Sequence, residues 1–120
     1  MEQNNGFIQN NNYVTELCEN GRSVLTAKIT ETSLNPYGVP HGGFIFGLAD
    51  TAAGAAASST GRPAMTVSAD IDYLHSAKGD TLRAEAECIK DGKIISVYEV
   101  SIYDNTRLVS KGSFTYFYID

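Results

Sequence analysis

Between His41 and Arg62 the chain carries one formally charged side chain, Asp50. The other residues of this segment are glycine, alanine, larger apolar residues and small hydroxyl residues. Alanine is the best helix former, and the segment is apolar on nearly all sides. It therefore predicts one helix, from Gly43 to about Ser59, that is buried on most of its surface. A sheet that curls around the helix would bury it in this way.

Two glycines lie inside the predicted helix, Gly47 and Gly54. Glycine weakens a helix interior, so its presence needs a reason in the packing. These two positions indicate close backbone contact between the helix and a neighbouring element.

Period-two patterns on both sides of the helix predict the sheet. The candidate strands are YVTEL and SVLTAKIT before the helix, and AMTVSADIDY, TLRAEAEC, IISVYEVSIY and RLVSKGSFTYFY after it. In AMTVSADIDY one face is predicted to hold Met65, Val67, Ala69, Ile71 and Tyr73. Hairpin signals stand at Asn20-Gly21, Asp91-Gly92 and Asp104-Asn105. The order β-β-α-β-β-β-β predicts an α+β fold, with an antiparallel sheet against one face of the helix.

Length and charge narrow the possible functions. The 120 residues suit one domain, predicted at residues 13–120 behind a polar, flexible leader at residues 1–12. A net charge of −5 argues against a nucleic-acid partner, because phosphates require a basic face. Two widely spaced cysteines indicate neither a metal cluster nor a disulfide scaffold, and no cofactor is expected. No signal peptide or membrane span is apparent, so the prediction is a cytoplasmic protein without membrane contact.

Asp50 allows two interpretations. In the first, it caps a shorter helix that starts at Thr51, with GFIFGLA as a strand. Alternatively it is a reactive carboxylate inside the longer helix. Burial without a partner is costly for a carboxylate and raises its basicity, a cost that active sites accept to obtain a base or a nucleophile.

The start of the predicted helix supplies a complementary feature. In His41-Gly42-Gly43 the backbone N–H groups are little obstructed by side chains. Unpaired N–H groups and the helix dipole favour an anion or a polarised carbonyl oxygen at this end. Asn35 can add a side-chain amide. The alternative is that the glycines only turn the chain into the helix and His41 caps it.

The stretch NPYGVPHGGFIFGLADTAAGAAA resembles the hotdog-fold acyl-CoA thioesterases of the phenylacetate-pathway type. The shared pattern is an asparagine, HGG six residues later and LAD in the central helix, here Asn35, His41-Gly42-Gly43 and Leu48-Ala49-Asp50. The resemblance continues over nearly all of the chain after about Tyr13. It implies a long helix wrapped by a curved antiparallel sheet, and hydrolysis of an acyl- or aryl-CoA thioester to the free acid and CoA. Many relatives also carry a leading helix that helps to cover the substrate, where this chain is shorter and more polar.

The resemblance also implies roles for individual residues. Asp50 matches the catalytic carboxylate, a general base or nucleophile, and the Gly42 N–H matches the group that polarises the thioester carbonyl. Asn35 matches a residue that holds that carbonyl or the attacking water. His41 matches a supporting residue, and Ser68 matches a hydroxyl that positions water in some members.

Four further residues are candidates for binding the substrate. Gly43 belongs to the same HGG turn, and Arg62, Lys90 and Lys111 are candidates for the CoA phosphates. Arg62 can equally be a cation that stabilises the helix C-terminus. A non-catalytic acyl-CoA-binding or sensor protein is the alternative function. A hydratase is disfavoured, because no Asp and His lie together on the helix as an acid–base pair.

Helix geometry adds a prediction about assembly. Gly42 and Asp50 are eight residues apart, or roughly 12 Å along a helix that rises about 1.5 Å per residue. They are too far apart to serve one thioester carbon together. The resemblance implies the resolution, a homodimer in which one subunit supplies Asn35 and Gly42 and the other supplies Asp50. Such dimers often pair into tetramers in this family.

Overall fold

The computed structural model describes residues 5–120, so residues 1–4 of the predicted leader lie outside the described residues. The elements are α1 Gly6–Asn10, β1 Tyr13–Glu19, β2 Arg22–Lys28, a 3-10 turn Glu31–Ser33, α2 Gly42–Ala57, β3 Ala64–Tyr73, β4 Thr81–Asp91, β5 Ile95–Asp104 and β6 Arg107–Tyr118. The six strands form one antiparallel sheet in the order β1-β2-β4-β5-β6-β3, and the long helix α2 packs against it. The predicted α+β layout and strand order along the chain are confirmed. No helix among these residues is long and apolar enough to cross a membrane.

The predicted hairpins have the expected turn chemistry. Asn20 and Gly21 have positive φ values of 51° and 77°, and Asn105 has a φ of 56°. Asn and Gly tolerate this left-handed region better than other residues. At the β4–β5 turn the Gly92 N–H donates to the Ile95 carbonyl, and a Cβ on Gly92 would lie 2.5 Å from that oxygen. Position 92 needs glycine because a side chain would clash with the Ile95 carbonyl. All three hairpin signals therefore mark turns that the structure contains, two through positive φ values and one through this close approach.

The central helix α2 is buried as predicted, and it begins at Gly42 and ends at Ala57. Its alanines and Leu48 are essentially inaccessible, and they pack on inner-face residues of the sheet such as Leu82 and Ile102. Full burial of a leucine contributes roughly 1.5–3 kcal/mol. Asp50 lies in the middle of α2, so the alternative with Asp50 as the cap of a shorter helix is wrong.

A short helix, α1, lies inside the segment predicted as a flexible leader. The Asn5 side-chain oxygen accepts hydrogen bonds from the Phe7 and Ile8 N–H groups, at 2.9 and 3.2 Å, and so caps the helix. Phe7 makes an edge-to-face contact with Tyr13, with 5.9 Å between ring centroids. The period-two and Ala-rich patterns used for the other elements are absent here, so the helix was not anticipated. The division into a leader and one domain stays a prediction.

Both glycines inside α2 face a tyrosine. A Cβ on Gly47 would lie 2.5 Å from the Tyr13 hydroxyl oxygen, and a Cβ on Gly54 would lie 3.2 Å from the Tyr116 hydroxyl oxygen. Real Cβ contacts are rarely this short. The prediction that these glycines permit close contact is confirmed.

We expect Gly47→Ala to lower the free energy of unfolding by about 1–3 kcal/mol, the range for an overpacked core. The steric cost outweighs the helix preference of alanine over glycine, about 1 kcal/mol. Gly6→Ala is the matched control, because a Cβ at this helical glycine meets nothing within 4 Å. Urea denaturation measures both variants. Equal stability of Gly47→Ala and wild type would contradict a tight contact with Tyr13.

Strand β3 lies at an edge of the sheet and contains a β-bulge. Thr66 pairs with Tyr116 and Ser68 with Thr115, so Val67 is the extra residue between them. Directly paired residues point to the same face, and an extra residue exchanges the faces beyond it. Thr66 therefore shares the helix-facing side with buried Tyr116, whereas Ser68 lies on the opposite side.

The bulge corrects the predicted faces of β3. Met65 pairs with Phe117 on the outer side, together with Ser68, and is separated from Ala69, which pairs with buried Phe114. The strand is also less buried than an alternating pattern suggests. Met65, Val67 and Tyr73 are 54%, 56% and 50% exposed. One long, apolar edge is thus unpaired in the single chain.

Candidate active site

Asp50 is held by two hydroxyl groups from neighbouring strands. The Thr66 hydroxyl, on β3, donates to Asp50 Oδ1 at 2.8 Å. The Tyr116 hydroxyl, on β6, lies 2.5 Å from Asp50 Oδ1 and 2.5 Å from the Asp50 main-chain oxygen. Among residues 5–120 no Lys, Arg or His forms an ion pair with this carboxylate. The described residues around Asp50 thus supply hydrogen bonds but no compensating positive charge.

The carboxylate opens onto a groove of about 590 Å³. Elements α1, α2, β3 and β6 form its walls, which are largely apolar. The residues around Asp50 are Asn5, Phe7, Ile8, Thr51, Gly54, Ala64, Met65, Thr66 and Tyr116. A groove of this size admits a small ligand beside the carboxylate.

The start of α2 leaves one N–H group available. His41 Nδ1 accepts a hydrogen bond from the Gly43 N–H at 2.8 Å, and the His41 carbonyl accepts from the Phe44 and Ile45 N–H groups. His41 is therefore the N-cap of α2, which was the structural alternative for this residue. The Gly42 N–H has no acceptor within the described chain. A free N–H at a helix N-terminus suits a carbonyl oxygen or an oxyanion.

Asn35 shapes the loop in front of Gly42. Its side-chain oxygen accepts from the Tyr37 and Val39 N–H groups, at 2.9 and 3.2 Å. This use of the carbonyl oxygen leaves the side-chain NH2 as the part that can meet a ligand. Asn35 thus both holds the loop and presents a donor.

A second groove, of about 320 Å³, joins Asn35 to the helix start. The Tyr73 hydroxyl donates to the Gly42 carbonyl at 2.9 Å, which anchors the end of β3 there. Burial raises the pKa of this hydroxyl. The lining residues are Asn35, Val39, Pro40, Gly42, Ile45, Tyr73, Leu74, His75, Ser76 and Ala77.

The two grooves share no lining residue in one chain. Asn35 and Gly42 come together at one, and Asp50 lies at the other. This separation agrees with the spacing of roughly 12 Å expected from a rise of about 1.5 Å per residue.

Three other predicted residues are not brought to Asp50. Ser68 is exposed on the outer side of β3, whereas the hydroxyl of Thr66, on the same strand, contacts Asp50. Arg62 forms two hydrogen bonds with Asp120, one with the Lys93 carbonyl, and stacks 3.7 Å from the Tyr118 ring centroid. The positive charge of Arg62 is thus already paired with Asp120. Lys111 forms an ion pair with Glu99, with 3.4 Å between Lys111 Nζ and Glu99 Oε1.

The sequence carried no signal for the two residues that hold Asp50. The alternating pattern of β3 leaves Thr66 off the predicted apolar face, because a β-bulge leaves no mark in such a pattern. Tyr116 is 66 residues away along the chain, and its aromatic neighbours all suited an ordinary strand. No group of three or more potential metal ligands is found in residues 5–120.

Comparison with known proteins identifies the family. Residues 37–111 match the family described as Thioesterase superfamily. The acyl-coenzyme A thioesterase PaaI of Escherichia coli K12 is 39% identical over 90 residues, which are 74% of this chain and 64% of that protein. The aligned part thus spans less than two thirds of that relative's length. The chain belongs to the thioesterase superfamily, as predicted.

Solved structures agree on the fold. The E. coli PaaI structure, from the phenylacetic acid degradation operon, superimposes with a TM-score of 0.93 at 30% identity and covers 98% of this chain and 87% of its own. A hypothetical thioesterase from Streptococcus pneumoniae TIGR4, solved with coenzyme A, gives a TM-score of 0.84 at 37% identity and covers 89% and 85%. The predicted hotdog fold is confirmed.

Two variants of the S. pneumoniae protein bear on the site. In one an aspartate is replaced by alanine, and in the other a threonine is replaced by alanine. Those two positions are 16 residues apart in that chain. Asp50 and Thr66 are separated by 16 residues here.

Proposed function

We propose that this protein hydrolyses the thioester bond of an acyl- or aryl-CoA. Water adds its oxygen to the acyl carbon, the carbon–sulfur bond breaks, and the products are the free acid and CoA. Asp50 acts as the general base that takes a proton from water, or as the nucleophile that attacks the acyl carbon first. The relatives named acyl-CoA thioesterase and thioesterase support this proposal.

The observation that carries the proposal is the state of Asp50. A carboxylate with no cationic partner among residues 5–120, held by Thr66 and Tyr116 on one oxygen and open to a groove, is placed to react. A protein that only binds acyl-CoA gains nothing from an unpaired carboxylate beside an apolar wall. The equal spacing of an aspartate and a threonine in the S. pneumoniae thioesterase adds support.

The Gly42 N–H and the Asn35 side chain take the carbonyl end of the thioester. The N–H is free, and the helix dipole favours the negative charge that develops on the carbonyl oxygen during attack. Asn35 donates from its NH2 group. His41 supports this end by fixing the Gly43 N–H, so its role is to shape the turn. Gly43 is then part of the scaffold of the site.

We propose that the complete site forms between two subunits. Thr66, near the start of β3, lies beside Asp50, and Tyr73, at the end of β3, lies beside Gly42. Antiparallel pairing of β3 with its copy, about a two-fold axis near Ala69, brings the start of one strand to the end of the other. Asp50 of one chain then faces Gly42 of the second copy.

The exposure of β3 favours this pairing. An unpaired edge with exposed Met65, Val67 and Tyr73 is a liability unless another strand covers it. Two dimers forming a tetramer remain part of the proposal. Acyl-CoA thioesters are intracellular metabolites, so the cytoplasmic location predicted from the sequence also belongs to it.

A panel of acyl-CoAs with short, long and ring-containing acyl groups tests the function. Release of the CoA thiol is followed by its reaction with a chromogenic disulfide. We expect at least one substrate with a kcat/KM of about 10⁴ M⁻¹s⁻¹ or more, the lower range for enzymes. Tight binding of acyl-CoAs without thiol release would instead favour the sensor alternative.

A further inference from the structure

We propose that Tyr116 is a positioning residue that determines which oxygen of Asp50 reacts. Its hydroxyl holds Oδ1 and the main-chain oxygen, so Oδ2 is left to meet the water or the thioester. This inference rests on the proposed function, and it concerns a residue for which the sequence motif predicts no role.

The hydrogen bonds of Asp50 are distributed unequally between its two oxygens. Thr66 and Tyr116 both act on Oδ1, at 2.8 and 2.5 Å. No donor within the described chain reaches Oδ2. The Tyr116 hydroxyl also lies 2.5 Å from the Asp50 main-chain oxygen, so its single O–H hydrogen is shared between two acceptors on Asp50. Rotation that would exchange the two oxygens breaks these contacts.

Tyr116 is itself firmly held. The residue is only 3% exposed, and its hydroxyl packs over Gly54. Its ring contacts the ring of Tyr98 edge to face, with 6.2 Å between the ring centroids. Burial, followed by the charge of Asp50 and the hydrogen bond to it, raises the pKa of the Tyr116 hydroxyl well above its ordinary value of 10.0. The hydroxyl therefore remains protonated and remains a donor over the working pH range.

The other titratable groups that face α2 do not reach the carboxylate. Tyr13 donates to the Phe44 carbonyl, Tyr73 donates to the Gly42 carbonyl, and Cys18 donates to the Ala55 carbonyl. Cys88, on β4, lies near Gly21, and Tyr98, on β5, lies behind Tyr116. The described residues that line the groove include no second charged group. A change in the titration of Asp50 on altering position 116 is thus attributable to this hydroxyl.

Tyr116→Phe tests the inference, because it removes the hydroxyl and keeps the ring. A hydrogen bond to a carboxylate favours the ionised form, so its loss disfavours ionisation. We expect the acid limb of the kcat–pH profile to move upward by about one pH unit, in the range for a lost charge-assisted hydrogen bond. We also expect kcat on the plateau to fall about tenfold, with little change in KM. A purely structural role for the ring would move neither.

Tyr98→Phe is the matched control. Tyr98 is another buried tyrosine of the same core, and the hydroxyl groups that contact the Asp50 carboxylate belong to Thr66 and Tyr116 rather than to Tyr98. The kcat–pH profile of Tyr98→Phe should keep the acid limb of the wild type. If Tyr116→Phe also keeps both the wild-type limb and the wild-type kcat, the positioning role is wrong, while the proposed function stands.

A second measurement does not depend on activity. The carboxyl carbon of Asp50 is followed by NMR in protein labelled with carbon-13 aspartate, and it is assigned by its loss in Asp50→Asn. Its titration midpoint should rise in Tyr116→Phe and stay unchanged in Tyr98→Phe. An unchanged midpoint in Tyr116→Phe contradicts the inference even if no acyl-CoA is ever hydrolysed.

Incorporation of 3-fluorotyrosine at position 116 covers the case in which Tyr116→Phe does not fold. The fluorinated hydroxyl is a stronger donor and occupies the same place. The midpoint should then move downward, opposite to the shift in Tyr116→Phe. A midpoint that stays at the wild-type value would again contradict the role of Tyr116.

Discussion

Asp50→Asn should lower kcat by at least about a hundredfold, the lower range for loss of a general base. The amide has the shape of the carboxylate, and its oxygen can still accept from Thr66 and Tyr116. Its nitrogen then occupies the position of Oδ2, where it can neither take a proton from water nor attack a carbonyl carbon. KM should change little, since the walls of the groove are intact. Steady-state thiol release with the best substrate of the panel measures both constants.

Asp80→Asn is the matched control for this substitution. Asp80 is an exposed carboxylate just before β4, and it lines neither groove. The same chemical change there should leave kcat near the wild-type value. Near-normal turnover in Asp50→Asn, in protein with a wild-type urea midpoint, would remove Asp50 from the mechanism.

A mixed dimer of two inactive variants should recover about half of the wild-type activity. Asp50→Ala and Asn35→Ala, each nearly inactive, are co-expressed with different tags and purified through both. In the mixed dimer one site carries both lesions and the other carries neither. The recovery follows from the geometry, because Asn35 and Asp50 lie at separate grooves of one chain.

The control is a dimer of two Asp50→Ala chains that carry the same pair of tags. Neither of its sites has the carboxylate, so it should stay inactive. If the dimer of Asp50→Ala with Asn35→Ala forms but is no more active than this control, each chain must build its own site. The sharing proposal would then fail, and the assignment of Asp50 would not.

Most of the fold followed from local patterns. The Ala-rich segment predicted α2 because helix preference and burial agree along its whole length. The strand patterns and the three turn signals predicted β1 to β6, since each turn demands residues that tolerate a particular backbone or a close approach. Asp50 was singled out because a lone carboxylate conflicts with a simple core, whereas the HGG helix start and the resemblance to the thioesterases pointed to Gly42 and Asn35.

The parts of the fold and of the candidate site that were not predicted depend on contacts that no local sequence pattern contains. The pairing of β3 with β6 joins strands that are distant along the chain, and it alone brings Thr66 and Tyr116 together. The bulge at Val67 then decides which hydroxyl of β3 meets Asp50, so Thr66 and not Ser68 contacts the carboxylate, and the water-positioning role of Ser68 stays a prediction. Helix α1 depends on a single capping residue, Asn5, in an Asn-rich stretch where every asparagine is an equal candidate.

The groove beside Asp50 draws its walls from two very different parts of the chain. Thr66 and Tyr116, which hold the carboxylate, lie on strands β3 and β6, which are hydrogen-bonded to each other within the sheet. Phe7 and Ile8 come from a helix of five residues that rests on the outside of Tyr13 and Gly47. That short helix can therefore be exchanged or lengthened, and the groove reshaped, while Asp50 and the two hydroxyl groups that hold it stay in place. Under the proposed function, ligand preference can then change among relatives without passing through inactive intermediates.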